Sequence, residues 1–159
     1  MRYALSDKPS AICAFLRRVL HYSDFYHGRA AMPKKVLIAE DQPDSRQLMA
    51  DIISRFRPYG VETITAANGS EALEMARKEK PALILLDMMM PGMSGLEVCQ
   101  QIKTDPDLKA TRVIVVSARV QPEDRRQAAE AGADEYLTKP FDINAMVERV
   151  QVALGVTLL

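Results

Sequence analysis

Four consecutive aliphatic residues, 83–86, constrain this chain more than any other stretch. An uninterrupted apolar run of this length is typical of a strand buried on both faces, as in a parallel sheet covered by helices. The run is followed by a carboxylate, Asp87, and then by the turn residues Pro91 and Gly92. Ligands of open α/β sheets bind at the carboxyl ends of strands, where Asp87 would lie. Taken alone, however, Asp87 is better explained as a residue that caps a loop.

Segments of strand type alternate along the chain with segments of helical periodicity. Strands are expected at residues 36–39, 61–66, 82–86, 113–116 and 134–137. Helices are expected to begin near Pro43, Asn68, Ser94 and Pro122, with a last one through Met146. Five strands alternating with five helices predict an α/β fold, a doubly wound parallel sheet with helices on both faces.

The helix that begins at Pro122 lacks large apolar residues. Its candidate inner face consists of Ala128, Ala129 and Ala131. A helix that buries so little apolar surface should cost little to shift. The same small residues could instead serve close packing.

Composition excludes several classes of function. Formal net charge is zero over 159 residues, which gives no indication of binding to nucleic acid or to an anionic membrane. No apolar run approaches the roughly 18 residues of a membrane-spanning helix. Cys13 and Cys99 have no spacing typical of a metal site. The sequence therefore favours a cytoplasmic protein whose cysteines are packing residues.

The first 33 residues differ from the rest. They carry five basic and two acidic side chains, and their apolar residues recur at helical spacing from Ile12 to Leu20. We interpret 1–33 as an N-terminal extension with a short amphipathic helix and a linker, 34–154 as the folded domain and 155–159 as a tail. The extension could dock on a membrane surface or a partner, act in targeting, or have no chemistry of its own.

Polar side chains stand at the ends of four predicted strands: Glu40 with Asp41, then Asp87, Ser117 and Lys139. If these strands are neighbours, three carboxylates converge, and they would partly protonate unless a cation compensated their charge. Oxygen ligands with room for water favour Mg²⁺ over Ca²⁺ or zinc. The lysine and hydroxyl favour an anionic ligand, of which a phosphoryl group is the obvious candidate.

These residues also carry a family resemblance. Residues 34–154 resemble the receiver domain of two-component response regulators, in particular the single-domain chemotaxis regulators. The matching motifs are Glu40-Asp41, Asp87 with Met90-Pro91-Gly92-Met93-Ser94-Gly95, Ser117-Ala118, Gly132-Ala133-Asp134, Tyr136 and Lys139-Pro140-Phe141. The resemblance implies a flavodoxin-like sheet of strand order 2-1-3-4-5.

The resemblance implies a role for each matching residue. Asp87 would accept a phosphoryl group from a phosphohistidine. Asp41, Asp87 and the main-chain carbonyl of Met89 would bind Mg²⁺, with Glu40 acting through water. Lys139 would pair with Asp87 and later with the phosphoryl group, and the bond before Pro140 would be cis.

The resemblance also implies a switch and its partners. Ser117 would turn to the phosphoryl group and Tyr136 would turn inward. Upstream we expect a sensor histidine kinase or a histidine phosphotransfer protein, and downstream an unknown protein target. Because the chain ends after the last helix, we expect a stand-alone regulator, monomeric or dimeric on phosphorylation, that catalyses only its own phosphorylation and dephosphorylation.

Two alternatives remain. A receiver that had lost its chemistry would serve as a docking module without phosphorylation, although the acids and the lysine are all present. A phosphohydrolase of the haloacid dehalogenase type would need a second acid two residues after Asp87, where Met89 stands. Met89 and Arg119 occupy positions that vary in the family and influence the phosphoryl lifetime, which we expect here to be moderate to long.

Overall fold

The computed structural model describes residues 32–158. The amphipathic helix predicted before residue 31 lies outside the described residues. Within Pro33–Leu159, one compact unit, the elements are β1 (Lys34–Ala39), α1 (Pro43–Ser54), a 3₁₀ turn (Arg57–Tyr59), β2 (Val61–Ala66), α2 (Gly69–Glu79), β3 (Leu83–Leu86), α3 (Gly95–Thr104), β4 (Arg112–Ser117), α4 (Pro122–Glu130), β5 (Glu135–Thr138) and α5 (Ile143–Leu154).

All five strands are parallel and lie in the order β2-β1-β3-β4-β5. The predicted fold class and strand order are thus confirmed. Strands β1 and β3 are neighbours and β4 follows β3, so their carboxyl ends open on one edge of the sheet. In the described part of the chain, no helix is long and apolar enough to cross a membrane.

Strand β3 is buried on both faces, as its unbroken apolar run predicts. Leu83 and Leu85 pack into a cluster with the apolar residues of α1 and α5. Ile84 and Leu86 pack into a second cluster with those of α2 and α3. Because successive side chains of a strand point to opposite faces, one four-residue strand joins both layers of the core and fixes where Asp87 emerges.

Helix α4 is the least anchored of the five. Of the three alanines predicted to form its inner face, Ala128 is buried, but Ala129 is exposed and Ala131 only partly buried. Ala128 joins a small cluster with Met88 and Val115. The prediction for Ala129 was wrong because α4 contacts the sheet through one narrow strip, which contains Ala128 but not Ala129.

Helix α3 begins directly against the loop that contains Asp87. Ser94 and Glu97 form the predicted capping box, in which each side chain binds the other residue's backbone N–H. The next residue, Gly95, lies so close that a Cβ atom would stand 2.0 Å from the carbonyl oxygen of Asp87. Only glycine fits this approach, so the start of α3 fixes the backbone after β3.

An ion pair joins α3 to the start of β5. The Lys103 ammonium donates to Asp134 Oδ2 at 2.8 Å, and the same oxygen accepts the backbone N–H of Val113 at 2.7 Å. Burial acts to raise the pKa of Asp134, but these hydrogen bonds and the charges of Lys103 and Arg112 outweigh it and hold the pKa below its usual value. The contact holds β5, the strand that contains Tyr136 and precedes Lys139, against β4.

Lys103→Met should lower the free energy of unfolding at pH 7 by about 1 kcal/mol, since Asp134 keeps its backbone partner. The lowered pKa of Asp134 stabilises the fold above its unfolded pKa, and this contribution is lost as pH falls through the folded value. The difference between wild type and variant in urea unfolding should therefore shrink toward acid pH. A difference independent of pH would mean that the lysine acts through its packing or through its hydrogen bond to the Thr111 carbonyl at 2.8 Å, and not through Asp134.

Candidate functional site

Three carboxylates meet where β1 and β3 end. The backbone N–H of Asp87 donates to the carbonyl of Ala39 at 2.9 Å, which places Asp87 beside the residue that follows β1. One carboxylate oxygen from each of Glu40, Asp41 and Asp87 lies within 4.8 Å of the other two, close enough to hold one metal ion. The convergence expected from the sequence is therefore present in the structure.

Glu40 is fully buried, and several donors form hydrogen bonds to its carboxylate. Its carboxylate accepts from the Ser45 hydroxyl at 2.9 Å, from the backbone N–H of Gln42 at 3.2 Å, and from the ammonium of Lys139 in a short ion pair. Burial acts to raise the pKa of Glu40, but Lys139 and these hydrogen bonds outweigh it, and the net pKa is lowered. Glu40 is thus held ionised.

At Asp87 the effects that raise the pKa outweigh those that lower it. Burial raises its pKa, and the nearby charges of Glu40 and Asp41 raise it further. The backbone N–H of Met89, 3.2 Å from Asp87 Oδ1, and the Lys139 ammonium, 3.6 Å from Oδ2, act against this but do not cancel it. The carboxylate is therefore poorly compensated by the protein itself, and a further positive charge would favour its ionised form.

Asp41 also indicates that the pocket lacks a positive partner. Its Oδ1 atom is buried and has no hydrogen-bond partner within the described residues. A buried oxygen without a donor is costly. Because Asp41 belongs to the three-carboxylate cluster, a cation bound there could be the partner that this oxygen lacks.

Lys139 and Ser117 complete the pocket. The bond between Lys139 and Pro140 is cis, as expected. The Lys139 N–H donates to the Ser117 carbonyl at 2.8 Å, which joins the ends of β5 and β4. The Lys139 ammonium lies closer to Glu40 than to Asp87, whereas the sequence pointed to Asp87 alone. The Ser117 side chain is buried, and its hydroxyl accepts the N–H of Arg119 at 3.3 Å.

Methionine sulfurs of the loop after Asp87 contact side chains of neighbouring segments. Arg119 Nε donates to the thioether of Met89 at 3.0 Å. The half-buried Tyr136 donates its hydroxyl to the main-chain oxygen of Arg119 at 2.9 Å and lies 3.2 Å from the Met88 sulfur. Gln101 contacts the sulfur of Met93 at 3.8 Å. These contacts connect the loop after Asp87 to α3, to β5 and to the segment after β4 through weak acceptors.

Sequence reasoning missed one residue of this region, Asp124. It is buried in the first turn of α4, and its carboxylate accepts from Arg119 Nη1 at 3.0 Å. An acid near a helix start is usually a solvated residue that interacts with the helix dipole, and nothing in the sequence marks this one as buried.

Comparison with known proteins identifies the family. The model of the response regulator receiver domain matches residues 36–151. The chain belongs to the response regulator receiver family. The predicted resemblance is confirmed, and this receiver is a phosphoacceptor signalling protein whose phosphorylation pocket contains Glu40, Asp41 and Asp87. Its family implies a histidine kinase as partner.

Individual relatives are similar over most of the chain. The polar-differentiation response regulator DivK of Brucella anthropi is 38% identical over 124 residues, which cover 78% of this receiver and 98% of DivK. The chemotaxis protein CheY4 of Vibrio cholerae matches with a TM-score of 0.68 and 29% identity over 76% of this chain and 98% of its own.

A third relative shares the fold. It is the receiver domain of the sensor histidine kinase PA1611 of Pseudomonas aeruginosa, with a TM-score of 0.69 and 24% identity over 77% of this chain and 98% of that one. Its structure has a magnesium ion coordinated in the active site cleft.

Proposed function

We propose that Asp87 is the phosphoacceptor of this receiver. The observation that carries the proposal is the position of its carboxylate, at the end of the central strand β3, in the three-acid cluster and 3.6 Å from Lys139. In the transfer, an Asp87 carboxylate oxygen attacks the phosphorus of a phosphohistidine. The new O–P bond forms as the P–N bond breaks, and the imidazole leaves with a proton from solvent.

Mg²⁺ fits the donor set of this pocket. Asp41, Asp87 and the main-chain carbonyl of Met89 would hold the ion, and Glu40 would act through a bound water. The buried Asp41 oxygen without a partner and the raised pKa of Asp87 support this assignment, as does the magnesium ion in the PA1611 receiver. When bound, the ion supplies positive charge beside the carboxylates and the phosphoryl oxygens.

Lys139 is proposed to stabilise the phosphoryl group on Asp87. Its ammonium is shared between Glu40 and Asp87 in the structure, so it needs only a small movement to reach an added phosphoryl oxygen. Ser117 is proposed to turn its hydroxyl to the same group, and Tyr136 to move inward. The half-buried position of Tyr136, beside the cluster of Met88, Val115 and Ala128, supports this movement.

The partners proposed are a sensor histidine kinase or a histidine phosphotransfer protein upstream and a protein target downstream. The receiver itself is proposed to be a monomer or a dimer that forms on phosphorylation. We propose a cytoplasmic location, which the buried free thiol of Cys99 supports. We also propose that residues 1–33 are an extension of the receiver domain at 34–154.

Phosphorylation by acetyl phosphate tests the proposal. Intact-mass spectrometry should show one added phosphoryl group with Mg²⁺, and none after chelation, because the pocket would then lack the charge that compensates its acids. A ¹⁹F signal from fluorotyrosine at position 136, assigned by Tyr136→Phe, should shift with beryllofluoride. No adduct and no shift would indicate a docking module, whereas continuous phosphate release would indicate a hydrolase.

A further inference from the structure

The loop that follows Asp87, residues 88–94, lies against the start of α2, and we call it the phosphorylation loop. Gly69, the first residue of α2, is buried. A Cβ atom at this position would stand 2.2 Å from the main-chain oxygen of Met93 and 2.8 Å from its Cβ atom. The backbone of Gly69 is not left-handed, so its conformation does not itself require glycine. The close approach of the phosphorylation loop is therefore what excludes a side chain here.

The start of α2 is anchored and cannot easily withdraw from this contact. The Asn68 side chain caps the helix and accepts the N–H of Glu71 at 2.9 Å. Ala72 and Leu73 are buried in the core cluster that contains one face of β3. The atom opposite Gly69 belongs to a main chain, so no change of rotamer can relieve a clash. A side chain at residue 69 would therefore displace the phosphorylation loop rather than the helix.

A displacement at Met93 would reach the acidic pocket through the start of α3. Gly95, two residues further on, donates its N–H to the carbonyl of Met88 at 3.1 Å. The N–H of the same peptide group, which belongs to Met89, donates to Asp87 Oδ1 at 3.2 Å. The next carbonyl along the chain is that of Met89, a proposed ligand of Mg²⁺. The contact at α2 therefore bears on both the carboxylate and the carbonyl that would bind the ion.

We propose that Gly69 is a positioning residue for the phosphorylation pocket. By leaving room for the Met93 carbonyl, it sets the phosphorylation loop so that Asp87 and the Met89 carbonyl can share one Mg²⁺. This inference rests on the proposed function. Mg²⁺ requires short bonds in nearly ideal octahedral geometry, whereas Ca²⁺ accepts longer bonds and more varied geometry. A displaced loop should therefore weaken the binding of Mg²⁺ more than that of Ca²⁺.

Gly69→Ala tests the proposal in the full chain, with Ser70→Ala as the control. Ser70 is exposed and is the next residue of the same helical turn. Methyl ¹³C NMR of methionine follows the titrations, because residues 88, 89, 90 and 93 are four of the nine methionines. Gly69→Ala should bind Mg²⁺ about tenfold more weakly than wild type, as for other residues that orient metal ligands. Its affinity for Ca²⁺ should fall much less, and Ser70→Ala should bind both ions as wild type does.

Two results of these titrations would overturn the proposal. Equal losses for Mg²⁺ and Ca²⁺ would mean that the variant disturbs the pocket as a whole. A wild-type affinity for Mg²⁺ would mean that the phosphorylation loop does not depend on Gly69. Urea unfolding gives a further check, because alanine in place of an uncrowded glycine stabilises a fold. A more stable Gly69→Ala would therefore contradict the close contact.

Asn68→Ala replaces Gly69→Ala if that variant does not fold. It adds no atom beside Met93 but removes the cap of α2, so the start of the helix constrains the phosphorylation loop less firmly. Mg²⁺ should again lose more affinity than Ca²⁺, although less than in a variant that displaces the loop directly. An unchanged affinity for Mg²⁺ would overturn the proposal.

Failure of the proposed function would give a different result. If wild type binds no Mg²⁺, the proposed function fails at its metal site. The methyl signals of the ion-free proteins then still test the contact between α2 and the phosphorylation loop. Those of residues 88, 89, 90 and 93 should shift in Gly69→Ala but not in Ser70→Ala. Signals that stay at their wild-type positions would show that Gly69 does not position the loop.

Discussion

Asp87→Asn should receive no phosphoryl group from acetyl phosphate, under conditions in which wild type is fully modified. The side-chain amide is a poor nucleophile and also weakens any cation site in the three-acid cluster. Intact-mass spectrometry measures the result. Asp44→Asn is the matched control, because Asp44 is an exposed acid in the first turn of α1, near the same edge of the sheet, and it should be modified as wild type is.

The loss in Asp87→Asn cannot be attributed to unfolding if the variant is also more stable. Burial and the neighbouring acids raise the pKa of Asp87, so its ionised form costs stability above the unfolded pKa. The neutral amide should raise the free energy of unfolding at pH 7, and the gain should vanish in acid. A phosphoryl group in Asp87→Asn that peptide mapping places on Asp41 would show that the phosphoacceptor is misassigned.

Lys139→Met should have the second large effect, on both stability and phosphorylation. Glu40 is fully buried and loses its cationic partner, which should lower the free energy of unfolding at pH 7 by about 2 kcal/mol. This is less than for a fully buried pair, because the lysine is 20% exposed and Glu40 keeps Ser45 and Gln42. The rate of phosphorylation should fall about a hundredfold, since a positioned charge is lost.

The pH dependence of the stability loss in Lys139→Met would identify Glu40 as its cause. In wild type the lowered pKa of Glu40 stabilises the fold at pH values above the pKa of the unfolded state, and this contribution is lost as the pH falls through the folded-state pKa. In Lys139→Met the ammonium no longer opposes the effect of burial on Glu40, which disfavours the ionised carboxylate. The loss of folding stability relative to wild type should therefore be largest at neutral pH and should disappear in acid. Urea unfolding across this range measures it.

The double variant Lys139→Met with Glu40→Gln separates stability from chemistry. Removing both partners leaves no buried charge without a counterion, so most of the lost stability should return. Phosphorylation should stay slow, because the ammonium beside Asp87 is still absent. If the double variant instead recovered wild-type phosphorylation, Lys139 would act only by compensating Glu40.

The fold could be predicted closely from the sequence because the pattern of apolar residues along the chain determines each strand and helix. The run from Leu83 to Leu86 can satisfy an unbroken apolar pattern only between two helical layers, and the structure has it there. Alternation of strands and helices then leaves few topologies. Asp87 could be placed for the same reason, since the end of a central strand is determined by the strand itself.

What the sequence could not predict depends on distances between side chains. Lys139 follows β5 and Glu40 follows β1, and no pattern along the chain shows that the ammonium lies closer to Glu40 than to Asp87. The burial of Asp124 is equally invisible, because it depends on where Arg119 extends from another loop. Ala129 is exposed because α4 packs through a strip too narrow to leave a periodic pattern.

Thioether contacts around the phosphorylation loop have a consequence for the speed of rearrangement. The hydroxyl of Tyr136 and the guanidinium of Arg119 each have a methionine sulfur within reach. Sulfur accepts hydrogen bonds weakly, and methionine adapts its shape at little cost. Because sulfur holds a donor only weakly, the hydroxyl and the guanidinium can leave these contacts at little cost. The methionines therefore favour a fast rearrangement of this region.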